Sequence, residues 1–184
     1  MTMRKITVQD YDPAWPGRFE QLRSHIWPTI SDIATTIEHV GSTSVAGLAA
    51  KPIIDMTIVI HAAPQMPQLI DRLATIGYPH RGDQGVPGRE AFARPDGTPA
   101  HNLYACVHGN NLGLRNHLAI RDHLRCQPAA ARSYGELKKD LARQFPNDID
   151  AYVDGKTEFI LKILAEAGFT QEELLTIRTL NKIA

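Results

Sequence analysis

The chain has 184 residues, with 20 Lys and Arg against 20 Asp and Glu. A single domain of ordinary size accommodates that length, and its core needs no disulfide or structural metal, because about two-thirds of the unfolded surface can be buried. The charge balance excludes the basic excess of a general nucleic-acid binder. Two isolated cysteines, Cys106 and Cys126, with no CxxC, exclude a disulfide framework and a zinc site. The N-terminal residues lack the apolar run of a signal peptide, and no segment approaches the ~18 apolar residues of a membrane span. The expected setting is cytoplasmic, with neither membrane nor nucleic acid as partner.

In chain order, residues 4–9 alternate polar and apolar and read as a short strand. Asp12-Pro13 starts a helix that runs to about residue 25, with Trp15, Phe19 and Leu22 at helical spacing. Pro28 is expected to end or bend it. Residues 33–40 form the next strand, and after a turn-rich stretch residues 53–60 form the clearest strand in the chain. Its near-continuous apolar run implies burial on both faces. Residues 65–77 read as a helix ending at Gly77. Strands at about 88–94 and 100–107 are joined by the Pro- and Gly-rich hairpin connection Arg94-Pro95-Asp96-Gly97-Thr98-Pro99. Residues 114–126, 129–144, 148–167 and 171–182 then show helical periodicity, separated by Pro128, Pro146 and Gly168. The expected fold class is α/β: a mixed β-sheet flanked by helices, with a sheet-containing core over about 1–110 and a helical part over about 111–184, in one domain. Trp15, Trp27, Phe19 and Phe159 are the expected core anchors. The amphipathic last helix covers either its own core or a neighbouring subunit.

The informative segment runs from His39 to Asp55, His39-Val40-Gly41-Ser42-Thr43-Ser44-Val45-Ala46-Gly47-Leu48-Ala49-Ala50-Lys51-Pro52-Ile53-Ile54-Asp55. One strand ends in Gly-Ser and the next carries an acid. Gly41 lets the backbone approach a phosphate closely, successive backbone N–H groups in such a turn make an anion-binding nest, and the Ser42 hydroxyl adds a donor. Asp55 on the neighbouring strand is placed to hold Mg²⁺ against the same phosphates. In-line transfer then needs positioning and charge neutralisation more than covalent chemistry. A Gly-Ser pair between strands is usually only a turn. Asp55 shifts that balance, because an uncompensated carboxylate in an apolar strand is costly and calls for a metal, a basic partner or exposure at the strand end. The spacing from Gly41 to Gly47, with no Gly-Lys-Ser/Thr after it, excludes a Walker A loop.

This segment resembles the signature of the GrpB family, whose members usually carry proline where this chain has Ala46. Three later stretches resemble the family in the same order. They are His101-Asn102-Leu103-Tyr104, the helix from His117 to Arg125, and Tyr134-Gly135-Glu136-Leu137-Lys138 with Tyr152 and Lys156 beyond. The resemblance spans about residues 4–165. It implies the nucleotidyltransferase superfamily. The implied activity is Mg²⁺-dependent transfer of a nucleotidyl group from an NTP to a small-molecule acceptor; the alternative is a non-catalytic module that binds a nucleotide or another phosphate compound.

The superfamily pattern places two acids at i and i+2 on the strand after Gly-Ser, where both face one side. The second position holds Thr57, and the later strand offers His101, Asn102 and Tyr104 but no acid. Missing ligands would come from Glu38, Glu90, Asp96 or His101; otherwise the site binds without transferring. The candidate catalytic residues are Asp55, Ser42 and His101, with Asp55 also the metal ligand. Gly41, Ser42, Thr43, Ser44, Lys51, Arg121 and Lys138 are the candidates for holding phosphates, and His39, Arg89 and Tyr104 for meeting the substrate. Arg121 and Arg125 share a helix face and, with Lys51, Lys138 and Lys156, would line a cleft; ordinary ion pairing with Asp122 is the competing reading. His39 and His101 would point into that cleft if their strand ends are adjacent. His117 and His123 lack a helical ligand spacing.

Overall fold

Alternation along four short strands decides which residues meet which layer. The computed structural model describes residues 5–109 and 111–181. Strands β1 (Ala34–Val40), β2 (Ile54–Ile60), β3 (Arg89–Phe92) and β4 (His101–Val107) form one mixed sheet in the order β1-β2-β4-β3. The central pair β2/β4 is parallel and the two outer pairs are antiparallel. Helices α1 (Trp15–Ile30) and α2 (Met66–Thr75) cover one face. There Ile26, Ile30, Leu69 and Leu73 pack on Ile37, Ile54, Met56, Ile58 and Leu103. Helices α3 (Leu112–Cys126), α4 (Pro128–Gln144), α5 (Ile149–Glu166) and α6 (Gln171–Asn181) follow. On the opposite face Val59 and Cys106 meet Leu114 and Leu118 of α3. The two-residue period therefore splits β2 cleanly: Ile54, Met56 and Ile58 face α1 and α2, while Asp55, Thr57 and Val59 face α3.

The strand and helix expectations for residues 33–182 are met to within a few residues over the described part. Residues 5–9 differ. They make an isolated bridge between Gln9 and Ala50 rather than a strand, because Ile6 is drawn to Leu141, Ala142 and Tyr152 and its N–H donates to the Pro146 carbonyl. Position 4 lies outside the described residues, as does position 182. Helix α1 also runs through Pro28 to Ile30. An interior proline costs about 3 kcal/mol, but Ile26 and Ile30 are fully buried on either side of it, and each such side chain contributes roughly 1.5–3 kcal/mol. Of the expected core anchors, Trp15 and Phe19 are buried, whereas Trp27 and Phe159 are partly buried at core edges. Leu174 and Ile177 of α6 pack on Leu161, Leu164 and Phe169, so this helix covers its own chain. Among the described residues no helix is long and apolar enough to cross a membrane.

Helix α3 is tied to the end of β1 and to the turn that follows. Arg121 Nη1 donates to Glu38 Oε2 (2.6 Å) and to the His39 carbonyl (3.3 Å), and its Nε donates to Asp122 (2.8 Å). Arg125 donates twice to the Ser44 carbonyl, at 3.1 and 2.9 Å. Replacing Arg121 by Met strands Glu38 and frees one side of the turn. Arg121→Met is expected to lower the unfolding free energy by about 1–3 kcal/mol in urea titration, and adding Glu38→Gln is expected to restore part of the loss. An unchanged unfolding midpoint for the single variant would show that the clamp is idle.

Candidate functional site

Gly41 turns the chain at φ +68° from β1 into a 3₁₀ turn at Ser42–Ser44. A side chain is disfavoured there on two counts. Positive φ suits glycine, and a Cβ would overlap Asp55 Oδ2 and lie 2.9 Å from Asp55 Cγ. The Asp55 carboxyl therefore rests on the Gly41 backbone, as expected from the pairing of Val40 with Asp55 across β1/β2. Parallel pairing sets Asn102 on its other side, where Asn102 Nδ2 donates to Asp55 Oδ1 at 2.7 Å.

The hydroxyls of the turn divide their work. Ser44 Oγ donates to the Gly41 carbonyl (2.6 Å), and Thr43 Oγ1 donates to the Ile53 carbonyl (3.3 Å) and lies 3.0 Å from His39 Nε2. Both shape the loop from within. Ser42 Oγ instead accepts from Lys138 Nζ at 2.8 Å, and the same ammonium donates to the Ala49 carbonyl at 2.5 Å. Lys138 is only 2% exposed, so this contact fastens α4 to the turn.

Two helices repeat one device. Lys138 Nζ lies 4.6 Å over the ring of Tyr134, and Lys156 Nζ lies 4.6 Å over the ring of Tyr152. Each pair is four residues apart, the spacing that stacks side chains on one helix face, and each gains from the cation–π attraction. Lys51 Nζ sits 5.5 Å from the Tyr152 ring. These three lysines, Asp55, Ser42 and Asn102 line a cavity of about 300 Å³ between the sheet and helices α3–α5.

The shared space perturbs Asp55, Lys138 and Lys156. Burial raises the Asp55 pKa, opposed by the Asn102 hydrogen bond and by the ammonium groups of Lys51, Lys156 and Lys138. Burial, reinforced by Lys156 and Lys51 and opposed by Asp55, pulls Lys138 down to about 7. Burial and Lys51 pull Lys156 down to about 8. One carboxylate thus shares its field among three like charges.

Several expected site residues lie elsewhere. His39 belongs to the α1 face of β1, stacks on Phe19 (centroids 4.6 Å apart, planes 7° apart) and is held neutral, near 4, by burial and then by Arg125 and Arg121. His101 shares its face with Leu103, packs against Tyr78 and donates from Nδ1 to the Pro99 carbonyl at 2.7 Å. Neither lines the cavity, because the strand period turns both to the core side; the residue next to His101, Asn102, faces the site instead. Arg121 grips Glu38 behind the turn rather than a phosphate. Glu90 pairs with His80 at 2.6 Å, and Asp96 is exposed in the β3–β4 hairpin. Among the described residues no second carboxylate therefore joins Asp55 in the cavity, and Thr57, with no exposed surface, stands 3.5 Å from His117 Nδ1. Among the described residues no cluster of three His, Cys, Asp or Glu side chains could hold a metal ion. Arg89 and Tyr104 stack at 4.4 Å in an adjoining cavity. The polar residues that the sequence alone did not place in the site include Asn102, Asn116, His117, Asn181, Tyr152 and Tyr134. The repeated Tyr-x-x-x-Lys spacing was the available signal for the last two of them.

Comparison with known proteins agrees with this architecture. Residues 5–166 match the family described as GrpB protein. UPF0157 protein YqkA of Bacillus subtilis is 34% identical over 157 residues, covering 85% of this chain and 46% of that protein, so the chain spans about half the length of that relative. The crystal structure of conserved protein GrpB from Enterococcus faecalis superposes with a TM-score of 0.78 at 37% identity, covering 88% of this chain and 96% of that one. The Cid1 poly(U) polymerase in its MgGTP-bound form superposes at 0.52 with 13% identity, over 74% of this chain and 44% of its own, which shows a shared fold. The chain belongs to the GrpB family and has a nucleotidyltransferase-like fold.

Proposed function

We propose that this chain binds a phosphorylated compound, a nucleotide or another phosphoester, in the cavity beneath the Gly41-Ser42 turn, with lysine ammonium groups supplying the countercharge. The supporting observation is the balance of charges in the wall: among the described residues that line it, Lys51, Lys138 and Lys156 stand against Asp55 alone. Ammonium-to-phosphate hydrogen bonds are charge-assisted and short. They form here beside a turn whose Ser42 hydroxyl already stands next to Lys138.

The donor set does not make a Mg²⁺ site of its own. Magnesium requires near-octahedral oxygen ligands, commonly one or two carboxylates with waters and substrate phosphates. Here one Asp55 oxygen accepts from Asn102, the other packs on Gly41, and Thr57 replaces a second acid. Binding of the phosphate by the lysines therefore needs no metal ion. A second reading, Mg²⁺-dependent nucleotidyl transfer to a small-molecule acceptor, draws support from Asp55 facing the Gly41-Ser42 turn on a fold shared with a polymerase solved with MgGTP. Metal-dependent pyrophosphate release from any of the four nucleoside triphosphates, abolished in Asp55→Ala, would establish it. Binding without product leaves the first reading.

Titration calorimetry with inorganic triphosphate and with ATP is expected to show binding without added metal. Lys138→Gln and Lys156→Gln should each weaken it by about tenfold or more, since a hydrogen bond to a charged group contributes ~1.5–3 kcal/mol. No binding by the wild-type protein at millimolar ligand would end the proposal. The pH dependence has a defined sign. An anion favours the ammonium forms, so affinity should fall as pH rises through the window of about 7 to 8 where Lys138 and Lys156 lose their protons. Stability of the free protein should move the opposite way. Both lysine pKa values are depressed in the folded state, so above about pH 7 the unfolded chain holds more protons than the folded one. Unfolding free energy therefore rises with pH until the unfolded lysines titrate. Affinity that climbs with pH would contradict the lysine assignment.

Gly41→Ala provides an orthogonal check. The methyl group meets Asp55 at a positive φ, and such strained positions cost about 1–3 kcal/mol. The variant should melt earlier and lose triphosphate binding; retention of both by this variant would mean that Asp55 does not rest on the turn.

A further inference from the structure

A second cavity, of about 590 Å³, lies beside the first and shares Asn116, His117 and Asn181 with it. Its remaining walls come from β3, β4, the segment 84–86 and helix α6. Its chemistry differs from that of the lysine cavity. The Arg89 guanidinium lies over the Tyr104 ring at 4.4 Å, and the Tyr104 and His117 rings are 5.9 Å apart. Burial, then Arg89, holds His117 neutral near 4. Val86, Ile177 and Leu180 supply apolar wall, and among the described residues no carboxylate lines the space.

Two residues that line this cavity each hold a buried polar atom with no hydrogen-bond partner among the described residues, Arg89 Nε and Asn116 Oδ1. An unmatched buried polar group costs about 1–3 kcal/mol, and such groups call for a reason. These two are complementary in sense, one donating and one accepting. Gln84, which lines the same cavity, is the one non-glycine residue at positive φ (50°) among the described residues. Backbone held in that region clusters at ligand sites.

We propose that the two cavities form one bipartite site, and that the second receives the aromatic heterocycle of a nucleotide whose phosphates occupy the lysine cavity. This rests on the phosphate reading above and narrows it from phosphorylated compounds in general to nucleoside phosphates. A flat heterocycle carries hydrogen-bond acceptors and donors on its rim and apolar faces above and below. Its rim would meet the Arg89 and Asn116 side chains, whose unmatched Nε and Oδ1 a small side-chain rotation would turn toward it, while its faces contact aliphatic and aromatic wall. Inorganic polyphosphate would fill the first cavity and leave both atoms unmatched. An alkyl phosphoester would fill the apolar space but offer no donor.

The test compares inorganic triphosphate with ATP, CTP, GTP and UTP by titration calorimetry, using the full chain. In the wild-type protein at least one nucleotide should bind tenfold or more tightly than triphosphate. Arg89→Met and Tyr104→Leu should bring that nucleotide down to the affinity of triphosphate. As a second readout independent of the variants, the fluorescence of an etheno-adenine triphosphate should change on binding to the wild-type protein and be restored by excess of the preferred nucleotide. Triphosphate binding as tightly as every nucleotide would overturn the bipartite site and leave the phosphate pocket standing. Equal losses for triphosphate and nucleotide in both variants would do the same. Failure of all five compounds to bind would remove the phosphate reading and this inference with it.

Discussion

The site is organised by one half-buried carboxylate that is outnumbered. Asp55 lies on the Gly41 backbone, accepts from Asn102 and faces Lys51, Lys138 and Lys156 across the same cavity. Each of these contacts constrains the chain elsewhere. The close approach to Gly41 requires a residue without Cβ at a positive φ. The Asn102 contact requires β4 to lie parallel beside β2 in the observed register. The lysines require α4 and α5 to sit over the open side of the sheet. Burying ammonium groups is unfavourable by itself, and the structure offsets that cost locally. The Lys138 and Lys156 ammonium groups lie over tyrosine rings, and Lys138 Nζ also has a carbonyl and a hydroxyl to donate to.

The sheet and most helices were legible because their signals are local and repetitive. The apolar run at 53–60 reads as a doubly covered strand, and every β2 residue except Asp55 is buried. The Gly-Ser turn and its opposing acid were legible for a related reason: the turn directly follows β1 and the acid lies near the start of β2, the next strand in the chain. The histidines were misplaced because proximity along a strand is not proximity to a site. His101 and Asn102 are adjacent in sequence, yet one packs on Tyr78 in the core and the other binds Asp55. Only the phase of the alternation separates them, and that phase is set by which face Leu103 and Ala105 bury.

Arg121 illustrates a different failure. A cation close to a phosphate-type loop can serve the ligand or the loop, and sequence does not distinguish the two. Glu38, on the strand face opposite that of His39, decides the matter by reaching α3 and engaging Arg121. The arginines of α3 thereby hold the turn from behind, leaving the ligand side to lysines from α4, α5 and the segment after the turn. The division suits the residue types. Arg125 makes a forked, two-donor contact to one carbonyl, which the fixed guanidinium geometry favours, whereas lysine presents a compact charge that can follow a phosphate.

Why a carboxylate should persist among three lysines follows from the same arithmetic. Three ammonium groups enclosed together repel one another, and Lys51 already lowers the pKa of both Lys138 and Lys156. Asp55 acts in the opposite sense on both lysines. It thereby keeps a larger fraction of them charged near neutral pH than an apolar residue would. It also repels any phosphate that approaches its own side of the cavity. A phosphate bound as proposed would therefore be confined to the side formed by Ser42, Lys138 and Lys156, leaving the wall shared through Asn116 and His117 open toward the second cavity. In that binding mode a single acid would fix where the phosphate sits, by repulsion rather than by coordination.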